Sequence, residues 1–174
     1  TRFSVPGLNF VRGGLQPVTL SRLALGVIAN AEGRVTGDGS VHWRGGHVTS
    51  EGTFTTDRMD FAAAFGPVER LATTIHFDDL VALTTPPGQV ATVGSVNPGI
   101  EVVDGRVTYQ LQPERRFRIE GGYWPFAGGR LTLLPALLDF SADRPRHLNF
   151  DVQGVDAALF LQRYEFENIS ATGT

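Results

Sequence analysis

The sequence contains no cysteine among its 174 residues. This absence excludes a disulfide framework, a thiolate zinc site and a cysteine nucleophile, and it leaves the redox compartment open. No run of about 18 apolar residues occurs either, so no segment has the pattern of a membrane-spanning helix. The start at Thr1 has no signal-peptide pattern and residues 168–174 resemble a strand that continues, so we expect a fragment of a longer protein.

The chain also has little excess charge of either sign. The chain carries 15 arginines and no lysine against 18 acidic residues, and its net charge of −3 provides no general attraction to nucleic acid or anionic headgroups. We therefore expect no nucleic-acid partner, and we expect any lipid contact to be with acyl chains. The charged fraction is only 19% while glycine occurs 21 times, a mixture typical of β-sheets with many turns.

No catalytic or metal-binding motif is present. The four histidines, His42, His47, His76 and His147, lie in separate segments without a paired ligand spacing, so no metal site is predicted. The closest carboxylates are neighbours in sequence and would face opposite ways on a strand. A G-x-S-x-G motif is absent as well. The sequence therefore predicts no enzyme and no cofactor, and a hydrolase is the weakest of the functions considered.

Alternation of apolar and polar residues is the dominant pattern, and it predicts strands with one apolar and one polar face. In one such strand Phe117, Ile119, Gly121 and Tyr123 are predicted to share a face. Residues 61–65 also fit a short helical turn, because the residues between the apolar positions are alanines. Strands are predicted over residues 35–43, 48–54, 59–65, 71–77, 107–111, 117–123, 131–137 and 148–152.

Turn residues separate these strands. Asp-Gly and Gly-Gly pairs supply the positive φ angles of tight hairpins, so the fold class predicted is all-β, an antiparallel meander in a single domain over residues 1–174. Residues 81–89 are predicted as a loop, and residues 156–164 as the one short helix, capped by Asp156. The predicted turns are Ala31-Glu32-Gly33, Arg44-Gly45-Gly46, Asn97-Pro98-Gly99, Asp104-Gly105, Gly128-Gly129 and Arg144-Pro145-Arg146.

A sheet that is apolar on one face must have that face covered. The cover is a second sheet, a closed barrel, or a ligand that fills a groove, and alternation alone does not choose among them. A closed sandwich or barrel would be a structural or protein-binding module, whereas an open groove would bind an apolar ligand.

Four motifs that follow one another carry a family resemblance. They are an NPG turn from Asn97, a DGRVTYQL strand from Asp104, a WPFAGG turn from Trp124 and an LTLLPALLDF strand from Leu131. This succession resembles the C-terminal region of the YdbH-like branch of the AsmA/TamB family. With a weaker match at residues 33–43, the resemblance covers most of residues 33–173.

The resemblance implies a curved, elongated sheet whose apolar face forms a groove for phospholipid acyl chains. It implies a location in the periplasm, within a longer protein anchored in the inner membrane of a Gram-negative bacterium, with other envelope proteins as further partners. It transfers no catalytic residue, and no predicted arginine pair supports the family's older label of dicarboxylate transport. The residues predicted to bind lipid are Val107, Tyr109, Leu111, Phe117, Ile119, Leu131, Leu133, Leu148, Phe150 and Val152.

Overall fold

The fold is a single antiparallel meander. A computed structural model describes residues 1–162. The strands are β1 (Arg2–Phe10), β2 (Ile28–Arg44), β3 (His47–Ala63), β4 (Gly66–Phe77), β5 (Gln89–Val96), β6 (Val102–Gln112), β7 (Arg116–Phe126), β8 (Gly129–Leu133), β9 (Ala136–Asp139) and β10 (Phe150–Gln153). Their hydrogen-bonded order is β1-β2-β3-β4-β5-β6-β7-β8-β10, and β9 pairs with β7. Two short helical segments, α1 (Pro17–Leu20) and a 3-10 turn (Arg22–Ala24), lie between β1 and β2.

The predicted all-β meander is confirmed, and its sheet is open. β1 and β10 are the two ends of the strand order and do not pair with each other. All ten strands belong to this one sheet. The closed sandwich and the closed barrel, which the alternation left possible, are therefore wrong for residues 1–162.

Tight turns with positive φ angles connect the long hairpins. Gly45 and Gly46, with φ of 54° and 81°, join β2 to β3 as predicted. The turn between β7 and β8 lies one residue earlier than predicted, at Ala127-Gly128, because Gly129 already pairs with Phe126. Residues 97–101 connect β5 to β6, and Arg144-Pro145-Arg146 lies in the connection that precedes β10, both as predicted.

Two predicted turns lie inside strands instead. Ala31-Glu32-Gly33 belongs to β2 and Asp104-Gly105 to β6. The positive φ angles at Asn30 (53°) and Asp104 (56°) are local irregularities within strands that continue. β3 likewise continues through Met59 to Ala63, so residues 59–63 are not a separate strand, and the alternative of a helical turn there is wrong.

A bulge in β7 reverses the faces of its second half. Thr108 pairs with Gly121 and the next residue of β6 pairs with Ile119, which leaves Glu120 as the extra residue. Tyr123 is consequently 44% exposed on the polar face, although alternation predicted it beside Ile119. Trp124, only 3% exposed, is on the apolar face in its place.

The segment predicted as one strand over residues 131–137 forms two strands. β8 and β9 both pair with β7, and the chain breaks between them at Leu134-Pro135 because proline cannot donate a ladder hydrogen bond. Leu137 is therefore 51% exposed, and Leu138, at 2%, is buried in its place.

Strand β5 was not predicted from the sequence. The loop predicted over residues 81–89 is confirmed except for Gln89, which is the first residue of β5. The loop between β4 and β5 covers residues 78–88.

Residues 157–162 are helical, and Asp156 caps them by accepting a hydrogen bond from the Ala158 N–H at 2.8 Å. The last two residues of that predicted helix, and the strand expected at residues 168–174, lie outside the described residues. Within residues 1–162 no helix is long and apolar enough to cross a membrane.

Candidate functional site

Rows of mainly apolar residues run across the strands, with a glycine in each row and two threonines in one of them. Paired residues on neighbouring strands share a face, so the pairings define each row. Two rows extend over seven strands, roughly 29 Å at about 4.8 Å per strand. One row contains Met59, Leu71, Val93, Gly105, Trp124, Leu131 and Val152. The other contains Thr56, Thr73, Ala91, Val107, Gly122, Leu133 and Phe150. We call the side of the sheet that carries these rows the apolar face.

The structure brings the ten predicted residues together. Strand pairing places nine of them on the apolar face, and Leu148 packs against the same apolar cluster. Their exposure differs, however. Tyr109, Ile119 and Leu133 are 4–5% exposed and belong to the interior, whereas Val152 is 50% exposed. The other six are half-buried.

Part of the apolar face is a dry, well-packed core. Its buried members include Trp124, Phe126 and Leu138, which the sequence analysis did not assign to this face. The Trp124 indole lies directly on Gly105, where any Cβ would overlap the ring. Within this region the Tyr109 ring stacks on Phe117, with 5.4 Å between ring centroids. The bulge in β7 explains why alternation missed Trp124 and Phe126, since only pairing reveals the reversal.

Burial also changes the chemistry of Tyr109. Loss of water raises the pKa of its phenol, and a hydrogen bond of 3.1 Å with the Thr73 hydroxyl partly opposes that rise. The phenol is therefore neutral at physiological pH and serves as a polar link between β4 and β6.

Three glycines leave a region without side chains on the apolar face of β2 and β3. Gly39 pairs with Gly52, and a Cβ at Gly37 would overlap Thr53 and the Phe54 ring. We call Gly37, Gly39 and Gly52 the glycine floor. Its lack of side chains leaves room for the rings of Phe3 and Phe54 and for the tip of Leu80. Gly37-Asp38-Gly39 lies within strand β2.

The loop at residues 78–88 covers the glycine floor. Ser50 anchors it, because the Ser50 hydroxyl donates to the Asp79 carboxylate at 3.1 Å and accepts from the Leu80 N–H at 3.0 Å. Asp79 also accepts from the N–H groups of Val81 and Ala82. Hydrogen bonds from Ala82, Val81 and Ser50 hold the pKa of Asp79 below its ordinary value, against the opposing effect of burial.

Removing the Asp79 carboxylate is expected to loosen this loop. Asp79→Ala should cost about 1 kcal/mol at pH 7 and speed hydrogen exchange at residues 80–82, whereas Asp57→Ala, at an exposed carboxylate, should do neither. Because the folded pKa is depressed, the contribution is fully present above 3.8 and is lost as the pH falls through the lower pKa of the folded state. The difference from wild type should therefore shrink in acid. A difference that grows as the pH is lowered from 7 would contradict this account.

The polar face carries a depression near the same strands. It has a volume of about 860 Å³, and its lining includes His42, His76 and Glu51. His76 Nδ1 lies 3.0 Å from the Thr53 hydroxyl. The sequence placed these histidines in separate segments, and the antiparallel pairing brings them to one surface. Over residues 1–162, no three histidine or acidic side chains are grouped so that they could hold a metal ion.

Comparison with known proteins gives one family. The model of the family described as "YdbH-like: Intermembrane phospholipid transport protein YdbH" matches residues 1–174. No curated protein and no solved structure matches the chain.

Proposed function

Since the chain belongs to the YdbH-like family, we propose that its apolar face shields phospholipid acyl chains as they move between two membranes. The family is one of intermembrane phospholipid transport, which implies a role in the cell envelope. The observation that carries the proposal is an open sheet with rows of apolar side chains across seven strands. Side chains from the connections cover part of these rows, and a ligand is a suitable cover for the half-buried residues that remain.

The half-buried part of the apolar face is the part available to lipid. We assign acyl-chain contact to the seven predicted residues that keep some exposure, and a supporting role beneath them to Tyr109, Ile119 and Leu133. The seven are Val107, Leu111, Phe117, Leu131, Leu148, Phe150 and Val152. The glycine floor, with Phe3 and Phe54 beside it, extends the same surface towards β1.

The dimensions of the face suit a diacyl lipid. The hydrocarbon core of a bilayer is about 30 Å thick, so one acyl chain spans about 15 Å. Rows of roughly 29 Å are longer than one such chain. A lipid on this face would contact the half-buried members of the rows, because buried members such as Val93 and Trp124 are already covered by protein.

The setting of the chain is part of the proposal. We propose that residues 1–174 are one β domain of a longer periplasmic protein anchored in the inner membrane, and that other envelope proteins meet it at either end. The family is a lipid transport family. Accordingly the chain is proposed to bind and guide lipid without catalysing a reaction or requiring a cofactor.

Native mass spectrometry of the purified chain, combined with lipid extraction, tests the proposal. We expect phospholipid at a defined stoichiometry, since the half-buried apolar side chains would otherwise remain in contact with water. A lipid-free, monodisperse and highly stable protein would contradict it and would favour a structural or protein-binding module.

A charge at an exposed position of the apolar face is expected to reduce lipid binding without unfolding the chain. Val152 pairs with Leu131 on this face and is 50% exposed, so Val152→Asp should lower phospholipid occupancy on the order of tenfold at unchanged thermal stability. The matched control is Gln153→Asp, one residue further along β10 on the polar face. Equal occupancy in the two variants would remove β10 from the proposed lipid surface.

A further inference from the structure

The β2–β3 hairpin extends beyond the neighbouring strand β4. Pairing between β3 and β4 ends where Gly52 meets Phe77, and the chain then turns away into the loop at residues 78–88. The last pairs of the hairpin, His42 with Thr49, Trp43 with Val48, and Arg44 with His47, therefore have no strand beside them on the β3 edge. We call residues 42–49 the hairpin tip.

One side of the hairpin tip is apolar and in contact with solvent. Trp43 is 67% exposed and its partner Val48 is 45% exposed. Leu80, the nearest side chain of the adjacent loop, lies over the glycine floor and not over this pair. By contrast Trp124, the other tryptophan of the chain, is 3% exposed. Trp43 and Val48 thus form a small exposed apolar patch at the end of the hairpin.

The opposite side of the hairpin tip carries Arg44. His42, Arg44, His47 and Thr49 line a small depression of about 260 Å³ on that side. Arg44 is the only formally charged residue among residues 42–49, and it forms no ion pair with any residue from 1 to 162. The nearest carboxylate along β3 is Glu51, whose Oε1 lies 3.4 Å from the Ser40 hydroxyl. The tip therefore carries one positive charge, although the whole chain has a net charge of −3.

We propose that the hairpin tip docks on the surface of an anionic phospholipid bilayer. Trp43 and Val48 enter the boundary between headgroups and acyl chains, and Arg44 pairs with lipid phosphates. Tryptophan is enriched at that boundary, and an arginine near an anionic leaflet is attracted to it. The three terminal pairs span roughly 7–10 Å, which equals the depth at which interfacial segments lie.

Geometry favours a bilayer over a flat protein surface. Successive side chains of a strand point to opposite faces, so Trp43 and Arg44 project in opposite directions. A flat protein partner would cover one of them and leave the other in water. A bilayer surrounds an inserted tip and offers apolar and anionic groups at nearly the same depth. This inference does not depend on the acyl-chain proposal, because it concerns the end of the hairpin and not the rows of the apolar face.

Vesicle binding with tryptophan fluorescence tests the docking proposal. The whole chain is mixed with vesicles of phosphatidylethanolamine and phosphatidylglycerol, or of phosphatidylcholine alone. We expect flotation with the anionic vesicles and a blue shift of Trp43 emission, with Trp124 contributing a constant background because it is already buried. Trp43→Ser should weaken binding on the order of tenfold. Arg44→Gln should weaken it about fivefold and reduce its sensitivity to salt.

The matched control is the exposed aromatic and arginine pair on the polar face of β7 and β8. The Arg130 guanidinium lies 5.2 Å from the centre of the Tyr123 ring. The double variant Tyr123→Ser, Arg130→Gln should bind vesicles like wild type. Unchanged Trp43 emission with anionic vesicles, or equal flotation of wild type and Trp43→Ser, would overturn the proposal. Flotation lost in Val152→Asp but kept in the tip variants would also overturn it, since binding would then occur through the apolar face.

Discussion

Replacing Ile119 by Asp is expected to destabilise the chain strongly. Ile119 is 4% exposed within the main apolar cluster, where it pairs with Tyr109 on one side and Ala136 on the other. A carboxylate there would lose its water without gaining a partner, at a cost of about 3–5 kcal/mol. A domain has about 5–15 kcal/mol of stability, so the variant should lose a large part of that margin.

Urea denaturation and circular dichroism measure this effect, and Arg118→Asp is the control. Arg118 precedes Ile119 and is exposed on the polar face, so its replacement should change stability by less than about 1 kcal/mol. A folded Ile119→Asp protein with the stability of wild type would show that this part of the apolar face is open and not a packed core. If that folded variant also bound lipid normally, the whole set of ten predicted lipid-binding residues would lose support.

The dry core and the lipid-binding surface are two parts of one face. Alternation along β6, β7 and β10 identified the face, because strand side chains alternate whatever covers them. It did not distinguish Ile119, which other side chains cover, from Val152, which they leave half-exposed. Burial depends on which strands lie opposite each other and on how the connections fold over the sheet. These relations join residues far apart in sequence, so a local pattern does not contain them.

The bulges mark the limit of prediction from the sequence. A single extra residue at Glu120 moves Tyr123 to the polar face and Trp124 to the apolar face. The alternation of residues 117–126 gives no indication of this change of face. The same holds for Asp104, where an Asp-Gly pair typical of hairpins lies inside a continuous strand. Turn chemistry therefore located the positive φ angle, but the hydrogen bonds of β5 decided that the strand continued.

The motifs that carry the family resemblance show the same limit of prediction. WPFAGG was interpreted as a turn, and its last residues do form one, but Trp124 and Phe126 are core side chains of β7. The sequence signal that could have revealed this is the glycine on the neighbouring strand. Gly105 is buried, and a strand interior loses stability at a glycine unless another group occupies the space of its missing side chain. Here that group is the Trp124 indole.

Gly105→Ala is expected to show that the contact between Gly105 and the Trp124 indole stabilises the sheet. The added methyl group would overlap the indole of Trp124, which is 3% exposed and enclosed by the cluster, so the ring has no free space into which it could move. We expect a loss of about 3 kcal/mol in the free energy of unfolding, at the upper end for overpacking. The control is Gly7→Ala, whose methyl group would meet only the flexible end of the Arg34 side chain.

A double-mutant cycle with Trp124→Leu separates overlap from any intrinsic effect of alanine in a strand. Leucine is smaller than the indole and leaves room for the Cβ, so Gly105→Ala should cost at least 1 kcal/mol less in the Trp124→Leu background than in wild type. Urea denaturation of the four proteins gives this difference. Additive effects would contradict the contact as the reason for the glycine. Coupling would show that the Trp124 indole occupies the space that a Cβ at residue 105 would need, although alternation placed Trp124 on neither face.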